Sequence, residues 1–292
     1  MKSRFHDFHP FVTFCYYIGS IAFMMLFVHP IFLLLGLIVL IVIHFIHDRC
    51  KNLQRWLFFV MLSGGFIFIL NPFFNERGRN VLFEVFGHRV TLEATIYGGM
   101  SAITLIGVMM IFVSYNEVMS PNKLLYLFSK FLPQFAVLLM LTLRFIPLMK
   151  RRLDEISAVQ LSKGISIVYG SWKERIQKGM LYVQVLLTYS LEEAIQTADS
   201  MKARGYGKLN RTTYEYFRFK GSDKVALIYL ILLFSINLYG RFKGFGYLTI
   251  YPIMEQIQLV STENFFLFIY ILFLGFPLYV EIGGVVRWRL LK

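Results

Sequence analysis

The residues of this sequence best suited to chemistry are cations placed where helices end. The first is Arg204, in the order Ala203-Arg204-Gly205. The partial negative charge in the last turn of a helix stabilises a cation, and Gly is the residue expected just past the end. Arg204 can then offer its planar donor fork to carbonyls or carboxylates of another protein, and the small Ala203 lets that surface come close. This is the chemistry of docking.

A second, weaker copy of the pattern ends the helix before it. In Ser162-Lys163-Gly164 the Gly is kept, but Lys163 supplies a point charge in place of a planar fork. Such an end is common on helices, so one tip alone carries little weight. Two cationic tips on consecutive long helices predict a part that grips two similar partners.

Catalytic and metal-binding patterns are missing from the sequence or incomplete. His44 and His47 fall on one face of a predicted helix beside Asp48, which permits a metal or proton-relay role, yet no third ligand is evident. The neighbours Glu192 and Glu193 diverge by about 100° on a helix, which favours solvated faces over an acid–base pair. No Gly-rich phosphate loop with its Lys and hydroxyl occurs, so ATP hydrolysis by this chain is excluded. We predict a non-enzyme with no metal and no cofactor.

Composition indicates that the chain lies in a lipid bilayer. Of its 292 residues, 57% are hydrophobic and 31 are Phe, and the mean hydropathy is +0.60. A soluble fold of this size cannot bury so much apolar surface, which predicts a polytopic membrane protein. The net charge of +13 is gathered in segments between apolar stretches. This placement is typical of membrane loops and argues against nucleic-acid binding.

Apolar stretches of about 20 residues predict transmembrane helices. Six occur, at about 11–28, 31–47, 55–71, 95–115, 224–240 and 264–282. With these spans, 23 of the 30 Lys and Arg residues fall on one side of the membrane and five on the other. Because Lys and Arg collect in cytoplasmic loops, both termini are predicted to be cytoplasmic.

One basic segment divides the chain into three parts. Residues 1–115 hold four predicted spans, residues 223–292 hold two, and residues 116–222 form a cytoplasmic domain between them. Three helices are predicted in that domain, at about 122–132, 134–163 and 172–204. The fold class is therefore all-α, a polytopic membrane protein of about six transmembrane helices with a cytoplasmic domain of long helices.

The order of these features resembles the transmembrane T component of energy-coupling factor (ECF) transporters, the CbiQ-like family. In that family two coupling helices each end in a three-residue motif centred on Arg, often Ala-Arg-Gly. Arg204 and its neighbours match this motif, whereas Lys163 stands where Arg is usual. Further stretches are similar to family segments: His9-Pro10, residues 71–78 (with Glu76 where His is common) and residues 142–147, which correspond to Leu-Arg-Phe-x-Pro.

The resemblance implies partners and roles for the tips. Members work with two ATPase subunits and with a membrane-embedded S component that binds the substrate. For this chain, a single fused ATPase could take the place of the two subunits. The resemblance implies that Arg204 and Lys163 each dock in a groove of one ATPase, and that the long helices pass the ATPase motion to the S component. Arg144 lies in an apolar helix and is expected to form a structural ion pair with Glu117 or Asp154, the alternative being that it extends to the membrane surface.

We therefore expect a non-catalytic T subunit, multi-pass in the plasma membrane of a prokaryote, that couples ATP hydrolysis by partners to uptake of a vitamin or a metal such as cobalt. Two other classes stay open, a self-contained secondary transporter and a membrane-embedded enzyme. The first needs ionisable groups at mid-membrane and the second a clustered polar site. The predicted spans offer little for either.

Overall fold

A computed structural model of the chain describes residues 4–48, 50–75, 77–85, 88–129, 132–207, 217–251, 255 and 257–290. Most of these residues are helical, which confirms the predicted all-α, multi-pass membrane fold. The chain divides into two compact units. Unit 1 is Met1–Leu124 with Phe217–Lys292, and unit 2 is Leu125–Tyr216. The three-part division into 1–115, 116–222 and 223–292 stays a prediction.

The elements follow one another in a simple order. They are a 3₁₀ turn (Arg4–Asp7), α1 (Pro10–Leu26), α2 (Pro30–Asp48), α3 (Lys51–Phe74), β1 (Val81–Val85), β2 (His88–Thr91), α4 (Leu92–Val118), α5 (Pro121–Ser129), α6 (Pro133–Ser162), α7 (Trp172–Ala203), α8 (Gly221–Phe242), α9 (Ser261–Leu274) and α10 (Phe276–Leu290). The boundary between the units falls inside α5, and α6 and α7 belong to unit 2. Prolines begin four of these helices, because the first helical position needs no N–H donor.

Length and apolarity single out most of the predicted spans. The helices α2, α3, α4, α6 and α8 are each long and apolar enough to cross a membrane, and α9 with the first part of α10 makes a sixth candidate bent by 56°. The predicted span at 11–28 corresponds to α1, which has only 17 residues. In addition, α6 is long and apolar enough to span a membrane, although the sequence predicts that it belongs to a cytoplasmic domain. These two helices are where the predicted set of spans and the structure differ.

A hairpin that the sequence analysis did not anticipate lies between α3 and α4. Strands β1 and β2 pair antiparallel, with Glu84 opposite Arg89 and joined to it by a 3.1 Å ion pair. At its base the buried Glu93 carboxylate accepts the backbone N–H of Asn80 at 3.2 Å. Asn75 donates to the Tyr251 hydroxyl at 2.9 Å. Segment 71–78 is thus tied to the loop after α8, and its Glu76 lies outside the described residues.

Contacts between helix ends define one face of unit 1, which we call face A. His47, at the end of α2, lies 3.5 Å from Glu117 near the end of α4 and 3.1 Å from Glu281 in α10. The N–H of His9, just before α1, donates to Asp223 in the first turn of α8 at 3.3 Å. The ends of α2 and α4 therefore meet α10 at face A, and the starts of α1 and α8 meet there as well.

The opposite ends meet at a second face, face B. Arg241, in the last turn of α8, donates to the Leu26 carbonyl at the end of α1 at 2.7 Å. Val28, between α1 and α2, accepts the Leu248 N–H at 3.0 Å. The helices of unit 1 consequently alternate in direction, as a chain that crosses a bilayer repeatedly must.

Aromatic rings meeting small residues fill the core of unit 1. Phe23 of α1 packs on Phe273 of α9 and Phe234 of α8, with ring centroids 4.9 Å apart in both pairs. A Cβ on Gly19 would lie 2.5 Å from the Phe273 ring, so this glycine is what lets α9 approach α1. Close helix approach through small residues is the usual packing of membrane helices, because lipid leaves no hydrophobic force between them.

The α3–α4 contact allows a matched test of this packing. A Cβ on Gly64 would lie 2.6 Å from Ile106 of α4, whereas one on the next residue, Gly65, would meet nothing within 4 Å. We expect Gly64→Val to destabilise the protein by about 1–3 kcal/mol because the new side chain overpacks this contact. Gly65→Val should be close to neutral. Thermal unfolding of the purified protein in detergent measures both, and equal melting temperatures for the two variants would contradict the packing.

Candidate functional site: two helix tips in unit 2

Helices α6 and α7 form an antiparallel hairpin. Near its middle the Ser190 hydroxyl of α7 donates to the Met149 sulfur of α6 at 3.0 Å. Toward its closed end the buried Tyr182 donates its hydroxyl to the Ile165 carbonyl at 2.9 Å. These two contacts set the register of the pair. They also place the last turn of α6 and the last turn of α7 at opposite ends of the hairpin.

The last turn of α6 closes in a Schellman motif around Lys163. Lys163 is the residue at the helix end, and Gly164 follows with φ of +77°. The Gly164 N–H donates to the Leu161 carbonyl and the Ile165 N–H to the Gln160 carbonyl, both at 2.9 Å. Only a glycine adopts this left-handed conformation without strain, which explains the Lys-Gly order.

The last turn of α7 has the same geometry around Arg204. Gly205 follows with φ of +78°. The Gly205 N–H donates to the Lys202 carbonyl at 2.9 Å and the Tyr206 N–H to the Met201 carbonyl at 3.0 Å. The two helix ends thus share one backbone motif, hydrogen bond for hydrogen bond.

The cationic side chains at both helix ends are accessible to solvent. The side chains of Lys163 and Arg204 are exposed, and among the residues that the structure describes neither has a hydrogen bond or an ion pair. The preceding residues, Ser162 and Ala203, are exposed as well. A Cβ on either Gly164 or Gly205 would meet nothing within 4 Å, so the backbone turn alone requires these glycines.

The two tips lie equally far from the middle contact of the hairpin. Lys163 is 14 residues beyond Met149 along α6, and Arg204 is 14 residues beyond Ser190 along α7. At 1.5 Å per residue each arm is about 21 Å long, and the arms run in opposite directions. The hairpin therefore presents two cationic tips up to about 40 Å apart.

Apolar side chains are also exposed on both helices of unit 2. On α6 six lie in its first half, Phe135, Leu138, Leu139, Met140, Leu143 and Ile146, and three in its second half, Leu153, Val159 and Leu161. On α7 they extend along most of the helix: Trp172, Ile176, Met180, Leu181, Val183, Leu187, Leu191 and Ile195. So much contiguous apolar surface marks contact with lipid or with protein partners.

Arg144, for which a structural ion pair is predicted, lies in the first half of α6. Arg144 is exposed, and in the described part of unit 2 it has no acidic partner. Asp154 is ten residues further along the same helix, about 15 Å away, which is too far for a contact. Glu117 belongs to unit 1, where it contacts His47. The predicted structural ion pair of Arg144 therefore stays a prediction.

The two histidines of α2 have separate environments. His44 is buried and its Nδ1 lies 3.0 Å from the Leu40 carbonyl, whereas His47 contacts Glu117 and Glu281. Among the described residues, no three His, Cys, Asp or Glu side chains are arranged so that they could hold a metal ion. Sequence reasoning missed the His47 cluster. Its only signal was that all three residues lie near the ends of predicted spans.

The CbiQ family model, described as "Cobalt transport protein", matches residues 3–215. The chain belongs to the CbiQ family. Among CbiQ-like relatives, the energy-coupling factor transporter transmembrane protein EcfT of Staphylococcus aureus (strain 04-02981) is 26% identical over 211 residues, which cover 67% of this chain and 79% of that protein.

Two further EcfT proteins match shorter stretches. That of Bacillus subtilis (strain 168) is 29% identical over 109 residues, which cover 37% of this chain and 41% of that protein. That of Listeria innocua serovar 6a is 28% identical over 127 residues, which cover 43% and 47%. The matched stretches span less than half the length of these two relatives.

The shared helix-end motif predicts that an added methyl group destabilises α7 at Gly205 but not at Gly179. We expect Gly205→Ala to destabilise the end of α7 by about 1–2 kcal/mol, because L-residues disfavour the left-handed region. Gly179→Ala, in the interior of the same helix and facing open space, should stabilise the helix by up to about 1 kcal/mol. Amide hydrogen exchange of residues 198–206 measures the difference. Equal exchange in the two variants would contradict the assigned turn.

Proposed function

We propose that this CbiQ-family chain is the energy-coupling T subunit of an ECF-type importer. In this role it is non-catalytic, and it links ATP hydrolysis by partner ATPases to an S component that binds a vitamin or a metal micronutrient. The observation that carries the proposal is the pair of identically capped helix ends, with Lys163 and Arg204 on arms of equal length. The relatives named EcfT support the same conclusion.

The position of unit 2 follows from a parity argument. The chain leaves unit 1 after α4, whose end lies at face A, and it returns into α8, whose start also lies at face A. The intervening segment must therefore cross the membrane an even number of times. In α7 the uncharged apolar run at 180–187 is far shorter than the roughly 20 residues of a span. If α6 crossed the membrane, α7 would have to cross it back, and its apolar run is too short to do so. Hence α6 does not cross the membrane, although it is long and apolar enough.

Face A is assigned to the cytoplasm. The segments predicted to be cytoplasmic connect to the spans at this face, and they carry most of the Lys and Arg residues. Basic residues near the ends of spans orient membrane proteins in this way. On this basis the N- and C-termini are cytoplasmic, and both tips meet soluble partners there.

Each tip docks in a groove of one ATPase. A carboxylate or a row of carbonyls suits both cations, with a bidentate contact open to Arg204 and a point contact to Lys163. Closure of the ATPases on ATP then moves the two tips relative to each other. Helices transmit this displacement because they are rigid over their length.

The exposed apolar side chains of α6 and α7 are assigned to the S component and the adjoining lipid. An amphipathic helix pair at the membrane surface can bury such faces against a hydrophobic partner. Substrate selection then lies with that partner. The secondary-transporter alternative is not favoured, since the His47–Glu117–Glu281 cluster lies near the ends of candidate spans, away from mid-membrane.

The docking role predicts a charge-reversal phenotype at the tip. Arg204→Glu should reduce co-purification of the ATPases with the chain by at least about tenfold, because a carboxylate would face the groove that binds a cation. Lys202→Glu, an exposed reversal two residues earlier, is the matched control and should retain them. Quantitative mass spectrometry of the affinity-purified complex is the measurement. Equal recovery of the ATPases with Arg204→Glu and wild type would refute the docking role.

The assigned orientation predicts which side reaches the tips. The two native thiols, Cys15 and Cys50, are free and would first be replaced by Ser. A single Cys at position 163 or 204 should then resist a membrane-impermeant maleimide in intact cells and react after lysis. A single Cys at Val81 in β1 should react in intact cells. Labelling of position 204 from outside would reverse the assignment.

A further inference from the structure

The two points where unit 1 connects to unit 2 are held by buried charged side chains. Lys123, next to the boundary at Leu124, is 5% exposed, and Asp223, in the first turn of α8, is 2% exposed. Lys and Asp are rarely this buried unless they are paired. Both are tied to one short stretch of chain, residues 6–9.

The exit from unit 1 is held by the Lys123 ammonium. It donates to the His6 carbonyl at 2.6 Å and to the Val118 carbonyl at 3.1 Å. Val118 ends α4, where carbonyls lack partners within the helix. Burial lowers the pKa of Lys123, and the neighbouring Asp7 carboxylate opposes this shift. One cation therefore joins the end of α4 to the N-terminal segment.

The return into unit 1 is held by the Asp223 carboxylate. One oxygen accepts the His9 N–H at 3.3 Å, and the other accepts the Lys220 N–H at 2.8 Å, at the start of α8. The His9 ring also packs edge-on against Phe219, with centroids 4.8 Å apart. The start of α8 is thus joined to the same N-terminal segment.

That segment is itself fixed in the aromatic core. Phe5 is 1% exposed, and its ring lies 5.4 Å from Tyr16, 6.1 Å from Tyr17 and 6.0 Å from Phe276. Phe8 lies 6.0 Å from Phe276 as well. The contacts made by residues 6–9 therefore start from a part of the chain anchored on α1 and α10.

We propose that residues 5–9 form a clamp that holds the exit and the return of unit 2 at a fixed spacing, with Lys123 and Asp223 as its positioning residues. The inference rests on the proposed energy-coupling function. Three residues span at most about 10 Å, so the carbonyl of His6 and the N–H of His9 keep the two connections close. If the two connections between unit 1 and unit 2 cannot move apart, they cannot absorb a displacement of unit 2. Movement of unit 2 then reaches α4 and α8 as movement of their face A ends.

The test compares transmission in the assembled complex, purified with its ATPases in nanodiscs. Amide hydrogen exchange is followed with and without ATP and vanadate in unit 2 and at the face A ends of α4 and α8. In wild type the nucleotide should change exchange in both places. In Lys123→Met and in Asp223→Asn the change in unit 2 should persist, while that in α4 and α8 falls at least about fivefold, a usual size for a lost coupling.

Two further variants sharpen the comparison. Lys224→Met removes an exposed lysine next to Asp223 and should behave as wild type. Lys123→Arg keeps a buried donor cation and should restore transmission. Unchanged transmission in both Lys123→Met and Asp223→Asn would overturn the clamp. Absence of any nucleotide effect on unit 2 in wild type would instead refute the proposed function.

Hydrogen exchange of the wild-type protein alone tests the clamp even if the variants fold poorly. Without nucleotide, residues 5–9, 119–123 and 220–223 should exchange with one common opening rate, because one set of contacts closes all three segments. Separate opening rates for the exit and the return would overturn the clamp whatever the ATPases do.

Discussion

The constraint on which the rest of the structure depends is that both connections to unit 2 lie at face A. Hydrogen bonds create it: Lys123 ties the end of α4, and Asp223 ties the start of α8, to the same N-terminal segment. In hydrocarbon a backbone crosses only as a helix that satisfies its own polar groups. An insert that starts and ends at one face can therefore hold long helices without adding a span. Because such an insert adds no span, the charged residues of α7 need not enter the hydrocarbon layer.

Unit 2 combines two surfaces that ordinary soluble hairpins keep apart. Its ends carry Lys163 and Arg204 on rigid, hydrogen-bonded turns, whereas its flanks expose apolar side chains such as Phe135 and Leu191. Charged ends with apolar flanks suit a pair of helices lying between a soluble partner and a membrane partner. The arms from the Met149–Ser190 contact to the two tips are of equal length, 14 residues each.

Local signals were sufficient to predict the ends of α6 and α7. A glycine after a cation marks a left-handed cap, and the structure places Gly164 and Gly205 in that conformation. Asp154 was a poor candidate partner for Arg144, because the rise of the helix separates the two residues by about 15 Å. The His9–Asp223 contact joins residues 214 positions apart, and a single sequence carries no periodic signal for such a contact. The β1–β2 hairpin was missed because its strands are short and lie between two strongly apolar helices.

The difference between the two tips is one of chemistry and not of backbone. Both helices end in the same pair of hydrogen bonds and the same left-handed glycine, so Lys163 and Arg204 leave their helices in equivalent positions. Arg204 offers a planar fork with five donors, whereas Lys163 offers three donors around a point charge. A partner pair with two identical sockets would bind these tips unequally. Equal docking therefore requires sockets that differ, with the bidentate acceptor opposite Arg204.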